Sequence, residues 1–506
     1  MAGTNWDYLS RSLQALWHPC TQMKSHETVP LVPVARGRGV WLYDFDGNRY
    51  LDAVSSWWVN LFGHCNPRIN AALRDQLETL EHAILAGFTH RPVIELSERL
   101  GRLAPGALGH CFYGSDGASA VEIALKMSFH YWRNSGRPEK TGFVSLQNSY
   151  HGETLGALSV TDVALFKDTY APLLRHTVQV PTPDWRYAEP GESPEAYALR
   201  CADALEAYLA EHGDETSALI VEPLVQCAAG MGIYHPAYLR RAREMCDRYQ
   251  VHLIADEIAV GFGRTGTLFA WEQAMAQGPQ SRAGSPEAAP SARTGAAPTE
   301  SERAASCRTG TLFAWEQAMA QGPQSRAGSP EAAPSARTGA GGPDFLCLSK
   351  GLSGGYLPLS AVMTTDTVYQ AFYHEDVGRG FLHSHSYTGN ALACRAALAT
   401  LDIFEQDGVI EANRAKAVYL NRALEPLAAH PKVKNLRHIG MIWAFEVDSA
   451  DAGLGGRIYR EALGRELLLR PIGNTVYFMP PYVIEEPELD LLAARTLEIV
   501  EGLNCE

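Results

Sequence analysis

Short apolar runs alternate with longer segments of helical periodicity through the middle of the chain. The apolar runs have the length of buried strands and lie at residues 142–146, 217–221, 251–255 and 345–348. Residues 119–132 carry apolar side chains every three or four positions, which indicates a helix. Strands that alternate with helices in this way predict an α/β fold with a mostly parallel sheet covered on both faces.

The two ends of the chain have a different texture, with shorter apolar runs and more highly charged helical segments. A chain of 506 residues is also too long for one small core, so two or more packed regions are expected. The sequence therefore predicts a large domain at residues 61–390 and a smaller α+β domain formed by residues 1–60 and 391–506.

A duplicated segment interrupts the predicted large domain. Residues 264–296 recur without change at 308–340, and the tail of each copy is rich in Pro, Gly, Ser and Ala. Two identical copies indicate a tandem duplication, whereas solenoid proteins contain several diverged repeats. Residues 277–343 are therefore predicted to form a surface insertion, whose added length costs roughly 2 kcal/mol of loop-closure entropy.

The residues that precede each copy predict which copy packs into the fold. Only the first copy follows the glycine-containing segment 261–263. We expect Arg264 and Trp271 of the first copy to pack into the fold. Arg308 and Trp315, their counterparts in the second copy, are expected to be displaced.

The composition of the chain indicates which kinds of partner it does not bind and in which compartment it works. The formal net charge of -14 argues against a surface that neutralises nucleic-acid phosphates or anionic lipids. The cysteines are scattered, and no run approaches the roughly 18 apolar residues of a membrane span. The first residues lack the basic and apolar stretches of a signal peptide. We therefore expect a cytoplasmic protein with reduced thiols that binds neither nucleic acid nor membrane.

Two ionisable residues carry the candidate chemistry. Asp256 and Lys350 each close an apolar run of strand length. An amine can form an imine with the aldehyde of pyridoxal phosphate, and a carboxylate can keep its pyridine nitrogen protonated so that the ring withdraws electrons. Glycines at residues 114–119 precede the predicted central helix, where backbone N–H groups can approach a phosphate. Tyr150 follows the first strand, so its ring can stack on the cofactor at the same sheet edge.

The motifs around these residues resemble those of the class III, or omega, aminotransferases of fold type I. They lie at residues 254–258, 261–266 and 348–355. Further motifs narrow the resemblance to the branch of the family that acts in biotin synthesis, and they lie at residues 16–19, 55–58, 149–152, 389–390, 469–471 and 477–482. The resemblance covers almost the whole chain except the insertion.

The resemblance implies a transamination carried out by a homodimer. Members of this branch transfer an amino group to 8-amino-7-oxononanoate and give 7,8-diaminononanoate, with S-adenosylmethionine as the donor. Lysine is the other donor that the sequence leaves open. The family also implies pyridoxal 5'-phosphate as the cofactor and active sites that the two subunits share.

The resemblance assigns the cofactor contacts residue by residue. They are Gly117, Ala118, Tyr150, Asp256, Lys350 and Ser386 of the partner subunit. Lys350 would form the imine and then carry a proton between the substrate carbon and the cofactor carbon. Asp256 would pair with the pyridinium nitrogen, and Tyr150 would stack on the ring. Glu222 matches a family carboxylate near the cofactor, with a supporting role.

The same resemblance assigns the substrate contacts. They are Trp57, Tyr150, Arg264, Arg470 and Tyr477. Arg470 offers a planar fork for the carboxylate of the keto-amino acid. Trp57 and the adjacent Trp58 would line the tunnel for its aliphatic chain, with one of the two facing the ligand. Tyr477 would contact the amino donor, and Arg264 would shape the pocket.

Some positions depart from the family pattern. Cys20 stands where an aromatic residue is usual, Cys227 replaces a glycine, and Ala118 replaces a hydroxyl residue beside the phosphate. Two alternatives stay open: an aminotransferase for another omega-amino acid or diamine, and a pseudoenzyme disabled by the duplication. His383 and His385 lack an acidic or thiol partner in the sequence, so no metal site is expected.

Overall fold

The computed structural model describes residues 3–276 and 341–503. Its strands, in chain order, are β1 (Val34–Arg38), β2 (Trp41–Asp44), β3 (Arg49–Asp52), β4 (Leu108–Gly114), β5 (Gly142–Leu146), β6 (Val178–Val180), β7 (Thr216–Val221), β8 (Val225–Gln226), β9 (Gly232–Ile233), β10 (His252–Asp256), β11 (Phe345–Leu348), β12 (Ser360–Thr365), β13 (Val433–Ile439), β14 (Ile442–Val447), β15 (Leu467–Leu468) and β16 (Thr475–Phe478).

The right-handed helices, in chain order, are α1 (Asn5–Ala15), α2 (Pro67–Leu77), α3 (Arg91–Leu103), α4 (Gly117–Asn134), α5 (Leu155–Val160), α6 (Ala164–Lys167), α7 (Pro194–His212), α8 (Ala237–Arg248), α9 (Glu272–Ala276), α10 (Asp366–Gln370), α11 (Ala391–Gln406), α12 (Val409–Ala423), α13 (Glu425–Ala428), α14 (Leu454–Leu463) and α15 (Glu486–Gly502). Short 3-10 turns lie at Met23–Glu27, Asp168–Leu173, Trp185–Tyr187, Lys350–Ser353 and Val377–Arg379. None of the helices in the two described ranges is long and apolar enough to cross a membrane.

A seven-stranded sheet forms the centre of the fold, with the strand order β4-β12-β11-β10-β7-β5-β6. Its strands run parallel except for β12, which is antiparallel to both of its neighbours. The predicted α/β fold with a mostly parallel sheet is thus confirmed. Each of the four strands predicted from apolar runs lies within one residue of an observed strand.

Both faces of this sheet are buried, which explains why its strands are almost continuously apolar. On β7, Ala218 and Ile220 belong to one apolar core, and Leu219 and Val221 belong to the other. Successive side chains of a strand point to opposite faces, so each face needs its own apolar layer. The helix predicted at residues 119–132 is part of α4, which packs on the face of Ala218 and Ile220.

A smaller sheet connects the two ends of the chain. It contains β1, β2, β3 and β15, and β15 runs parallel to β3 although the two strands come from opposite ends of the sequence. A third, antiparallel sheet contains β13, β14 and β16. The ends of the chain therefore share a sheet, while the domain boundaries at residues 60 and 390 stay a prediction.

Residues 264–276, the described part of the first copy of the duplicated segment, are docked as predicted. Trp271 is 0% exposed, and Arg264 is also buried. The second copy, with Arg308 and Trp315, lies outside the described residues, as does the predicted insertion up to residue 340.

Hydrogen bonds fix the docked copy on both sides. Glu257 accepts hydrogen bonds from the amides of Ala270 and Trp271, both at 2.7 Å. Burial raises the pKa of this carboxyl to about 8, although these two bonds act to lower it. Trp271 Nε1 donates to the carbonyl of Gly341 at 3.0 Å, where the chain re-enters the described structure. The exit and the return of the chain are therefore close together.

Replacing Trp271 with alanine should destabilise the protein, because the change empties a filled position in the core. Truncation of a buried tryptophan costs about 3–5 kcal/mol. The urea midpoint, followed by far-UV circular dichroism, should fall for Trp271→Ala. Trp315→Ala is the matched control, since it lies in an identical stretch of sequence, and it should leave the midpoint unchanged. Equal losses in the two variants would contradict docking of the first copy alone.

Candidate active site

Lys350 lies at the carboxyl edge of the central sheet. β11 ends at Leu348, and Lys350 begins a 3-10 turn with a positive φ of 43°. Burial lowers the pKa of its amine, and the nearby Asp256 carboxylate acts in the opposite direction. A lowered pKa makes a larger fraction of the amine neutral, and the neutral amine is the nucleophile.

Asp256 ends the neighbouring strand, β10, where it lies opposite Cys347 of β11. The carboxylate is buried. Its Oδ2 is hydrogen-bonded to His151 Nδ1 at 2.7 Å, and its Oδ1 accepts a hydrogen bond from the amide of Ile258 at 3.1 Å. These contacts give the carboxylate a fixed orientation at the edge that also carries Lys350.

His151 is a site residue to which the sequence patterns gave no role. It directly follows Tyr150, beyond the end of β5, so its place at the sheet edge could have been read from the sequence. Its partner could not, because Asp256 lies 105 positions further along the chain. The Nε2 atom of His151 is buried and has no hydrogen-bond partner among the described residues.

The Glu222 carboxylate binds the backbone at Tyr150. Its Oε1 accepts a hydrogen bond from the amide of Tyr150 at 2.9 Å, and its Oε2 accepts one from the amide of Cys227 at 3.2 Å. Burial raises the pKa of Glu222 to about 7, while the nearby His151 acts to lower it. The hydroxyl of Tyr150 donates to Glu153 at 2.9 Å. Tyr150 is therefore fixed at both its amide and its hydroxyl.

Helix α4 begins at the same edge with Gly117 and Ala118. Asp116 caps it by accepting a hydrogen bond from the amide of Ser119 at 2.9 Å. A Cβ on Gly117 would lie 2.9 Å from a methyl of Ile258, so glycine permits this close approach. The first amides of a helix have no partner within the helix and attract anions.

The segment Ser55–Trp58 forms a left-handed turn, which the sequence did not predict. Its four residues have φ values between 47° and 73°. Each L-residue in this conformation costs roughly 1–2 kcal/mol, so the turn needs support from outside. Asp52 accepts hydrogen bonds from the amide and the hydroxyl of Ser56, at 2.9 and 2.7 Å. The Ser55 hydroxyl donates to the carbonyl of Met479 at 2.7 Å.

The left-handed turn presents its two tryptophans to different partners. Trp57 is 39% exposed, and the guanidinium of Arg470 lies 4.1 Å from the centroid of its ring. Trp58 is buried, and its Nε1 donates to the hydroxyl of Tyr477 at 3.1 Å. Lys350 Nζ lies 5.5 Å from the Trp58 ring. The turn therefore connects Lys350 with three of the predicted substrate residues.

Arg264 supports the left-handed turn from behind. It donates hydrogen bonds to the carbonyls of Pro480 at 2.9 Å, Asn60 at 3.2 Å and Trp58 at 3.4 Å. Burial lowers the pKa of its guanidinium. Arg264 thus acts on backbone carbonyls, and in this way it supports the wall of the site that Trp57 and Trp58 form.

Ser386 stands apart from this group within a single chain. It is exposed, and its carbonyl accepts a hydrogen bond from His82 Nε2 at 2.9 Å. The neighbouring His385 is hydrogen-bonded to Ser115 at 3.0 Å. The predicted contact of Ser386 concerns a second subunit and stays a prediction.

The groups at the sheet edge fit pyridoxal phosphate. The amine of lowered pKa suits its aldehyde, the buried and oriented carboxylate suits its ring nitrogen, and the helix start suits its phosphate. They meet outside the carboxyl ends of the strands, where open α/β sheets bind their ligands.

Comparisons with known proteins agree with this chemistry. The family model described as Aminotransferase class-III matches residues 22–279 and 332–500. A Helicobacter pylori protein named adenosylmethionine-8-amino-7-oxononanoate aminotransferase is 42% identical over 500 residues, which are 97% of each chain. A protein of the same name from Geobacter sulfurreducens is 36% identical over 488 residues, 94% of this chain and 93% of its own.

Solved structures are similar over nearly the same length. The crystal structure of adenosylmethionine-8-amino-7-oxononanoate aminotransferase from Methanocaldococcus jannaschii has a TM-score of 0.80 and 32% identity, and the match covers 98% of this chain and 99% of that one. The omega transaminase from Pseudomonas jessenii in complex with PMP has a TM-score of 0.80 and 26% identity, with 97% of each chain covered. Because the family model and these relatives span most of its length, the chain belongs to the class III aminotransferases.

Proposed function

We propose that this chain transfers an amino group from S-adenosylmethionine to 8-amino-7-oxononanoate and gives 7,8-diaminononanoate for biotin synthesis. One observation carries the proposal: the left-handed turn joins the amine of Lys350 to the exposed pair of Trp57 and Arg470. A nucleophilic amine, an apolar ring and a carboxylate-binding fork then belong to one site. The names of the relatives supply the two substrates.

The proposed cofactor contacts are Gly117, Ala118, Tyr150, Asp256 and Lys350. When bound, pyridoxal phosphate supplies a ring that withdraws electrons from the carbon bearing the amino group. The Lys350 amine would then accept a proton from that carbon and deliver it to the cofactor carbon. Its lowered pKa suits this work, because an amine that is partly neutral can act as a base. Asp256, oriented by His151, keeps the ring nitrogen protonated.

The proposed substrate contacts lie on the wall of the site formed by Trp57, Trp58 and Arg470. Arg470 binds the carboxylate of 8-amino-7-oxononanoate, and Trp57 lines the path of its aliphatic chain. Tyr150 and Tyr477 flank the reacting amino group. Arg264 acts indirectly, because both terminal nitrogens of its guanidinium donate to backbone carbonyls.

Lys350→Ala should slow transfer from the donor strongly, since it removes the proton carrier. With the holoenzyme and S-adenosylmethionine or lysine, the visible band of the cofactor should decay as the amino group is taken up. We expect this decay to be about 100- to 10,000-fold slower in Lys350→Ala. Lys434→Ala changes an exposed lysine and is the matched control, with an unchanged rate.

The same measurement separates the alternatives for the donor and for activity. Decay with lysine and not with S-adenosylmethionine would correct the proposed donor. Wild-type protein that is colourless as purified and shows no imine absorbance after addition of pyridoxal phosphate would favour a pseudoenzyme and contradict the proposal.

Arg470→Ala should weaken binding of the keto substrate, because it removes a charged hydrogen-bonding partner of the carboxylate. The KM for 8-amino-7-oxononanoate should rise about tenfold to a hundredfold. Arg465→Ala is the control, since this nearby arginine pairs with the surface residues Glu461 and Glu498. Steady-state kinetics at saturating donor measure both variants. An unchanged KM in Arg470→Ala would count against its assigned role.

A second candidate function is transamination of another omega-amino acid or a diamine. It is favoured by the Pseudomonas jessenii omega transaminase, whose structure is as similar as that of the Methanocaldococcus jannaschii protein. The cofactor contacts serve both reactions equally. A diamine has no carboxylate for Arg470 to bind. This alternative would be supported if the enzyme turned over a diamine faster than 8-amino-7-oxononanoate and if Arg470→Ala left the rate with the diamine unchanged.

We further infer that the protein is a cytoplasmic homodimer and that Ser386 of the partner subunit adds a hydroxyl to the phosphate site. The exposure of Ser386 and the free thiols of the described cysteines support this proposal. Sedimentation equilibrium should give about twice the chain mass of 55.3 kDa. Ser386→Ala should weaken retention of pyridoxal phosphate, and Ser384→Ala, in the same exposed loop, should not. A monomer with full activity would contradict the shared active site. Recovery of the protein in the membrane fraction of the cell would contradict the cytoplasmic location.

A further inference from the structure

The left-handed turn has one buried acid beneath it. Asp52 is 1% exposed, and both of its carboxylate oxygens accept hydrogen bonds from Ser56, the second residue of the turn. Its Oδ2 is also hydrogen-bonded to His64 Nε2 at 3.0 Å. His64 is in turn hydrogen-bonded to the side chain of Asn60 at 3.1 Å. Asp52 is therefore itself held in place while it holds Ser56.

The position of Asp52 also relates the turn to Arg470. Asp52 ends β3, where it lies opposite Leu468 of β15. Arg470 follows Leu468 by two residues, and Trp57 follows Asp52 by five. The paired strands β3 and β15 thus lead directly into the two residues, Trp57 and Arg470, that are in contact.

Packing alone does not hold Trp57 where it is. Trp57 is 39% exposed, so packing covers only part of it, and the backbone of the turn also sets the direction of its side chain. That backbone is in a conformation that L-residues avoid. Relaxation of the turn would move Trp57 away from Arg470 and would disturb the contact of Trp58 with Tyr477.

We infer that Asp52 is a positioning residue of the substrate site. By holding Ser56 it keeps the turn left-handed, and so it sets the wall of Trp57 and Arg470 that recognises an apolar chain ending in a carboxylate. Asp52 does not touch the substrate. The identity of that substrate rests on the proposed function.

Asp52→Asn tests the inference with little change in size. An asparagine keeps one oxygen for the Ser56 amide but places an NH2 group where the Ser56 hydroxyl and His64 need an acceptor. Weakening of these hydrogen bonds to a charged group predicts a rise of about tenfold to a hundredfold in KM for 8-amino-7-oxononanoate. The kcat at saturating substrate should change much less, because β10 and β11, the strands that place Asp256 and Lys350, belong to a different sheet from the strand that ends in Asp52.

Asp44→Asn is the matched control. Asp44 is 4% exposed and ends β2 in the same sheet. It accepts hydrogen bonds from the Asn48 amide at 2.8 Å and the Tyr50 hydroxyl at 2.9 Å, so it serves the hairpin and not the turn. The KM of Asp44→Asn should equal that of the wild type.

Hydrogen exchange supplies a readout that does not depend on activity. Amides of residues 55–60 should exchange faster in Asp52→Asn than in Asp44→Asn, while exchange in β10 and β11 stays the same. Equal exchange of residues 55–60 in the two variants would overturn the inference, as would a fall in kcat without a change in KM. If the wild type does not use 8-amino-7-oxononanoate, the proposed function fails, and the exchange comparison alone decides the role of Asp52.

A second substitution tests whether the backbone conformation is what Asp52 supplies. Glycine adopts positive φ without the penalty of other residues. Adding Ser56→Gly to Asp52→Asn should therefore recover part of the lost affinity. A double variant no better than Asp52→Asn would show that Asp52 does not act through the turn.

Discussion

Because β10 and β11 are neighbouring parallel strands, their carboxyl ends bring Asp256 and Lys350 to one edge of the sheet. Both groups lose water there, and a buried charge is costly unless it is paired or hydrogen-bonded. Asp256 meets this condition through His151 and the Ile258 amide. Lys350 meets it differently, because burial shifts its amine toward the neutral form. The strand pairing therefore fixes the place of both groups, and burial at this edge shifts the Lys350 amine toward its neutral form.

The proposed substrate contacts depend on a different part of the fold. The left-handed turn follows β3 of the terminal sheet, Tyr477 lies on β16, and Lys350 follows β11 of the central sheet. Trp58 contacts both Tyr477 and Lys350, so three sheets meet at this indole. Arg264 adds hydrogen bonds to the same backbone. An unfavourable local conformation is thus retained because several distant segments hold it at once.

Sequence patterns predicted the placement of residues at the edge of the central sheet better than the geometry around the left-handed turn. Apolar runs report burial, and burial of both sheet faces made the central strands readable together with the residues that end them. His151 was missed because a hydrogen bond between segments that are remote in sequence leaves no periodic signal. The left-handed turn was missed because the Ser-Ser-Trp-Trp segment contains no glycine to announce positive φ. The antiparallel strand β12 was not predicted, because Ser360, Thr364 and Thr365 leave it an apolar run of only three residues.

The closeness of Trp271 to Gly341 has a consequence for how the protein could be divided. A backbone break between residues 276 and 341 would yield two fragments. Asp256 would belong to one fragment and Lys350 to the other, and β10 and β11 would be the seam between them. Neither fragment would hold the complete chemistry, so its recovery would report the reassembly of the central sheet.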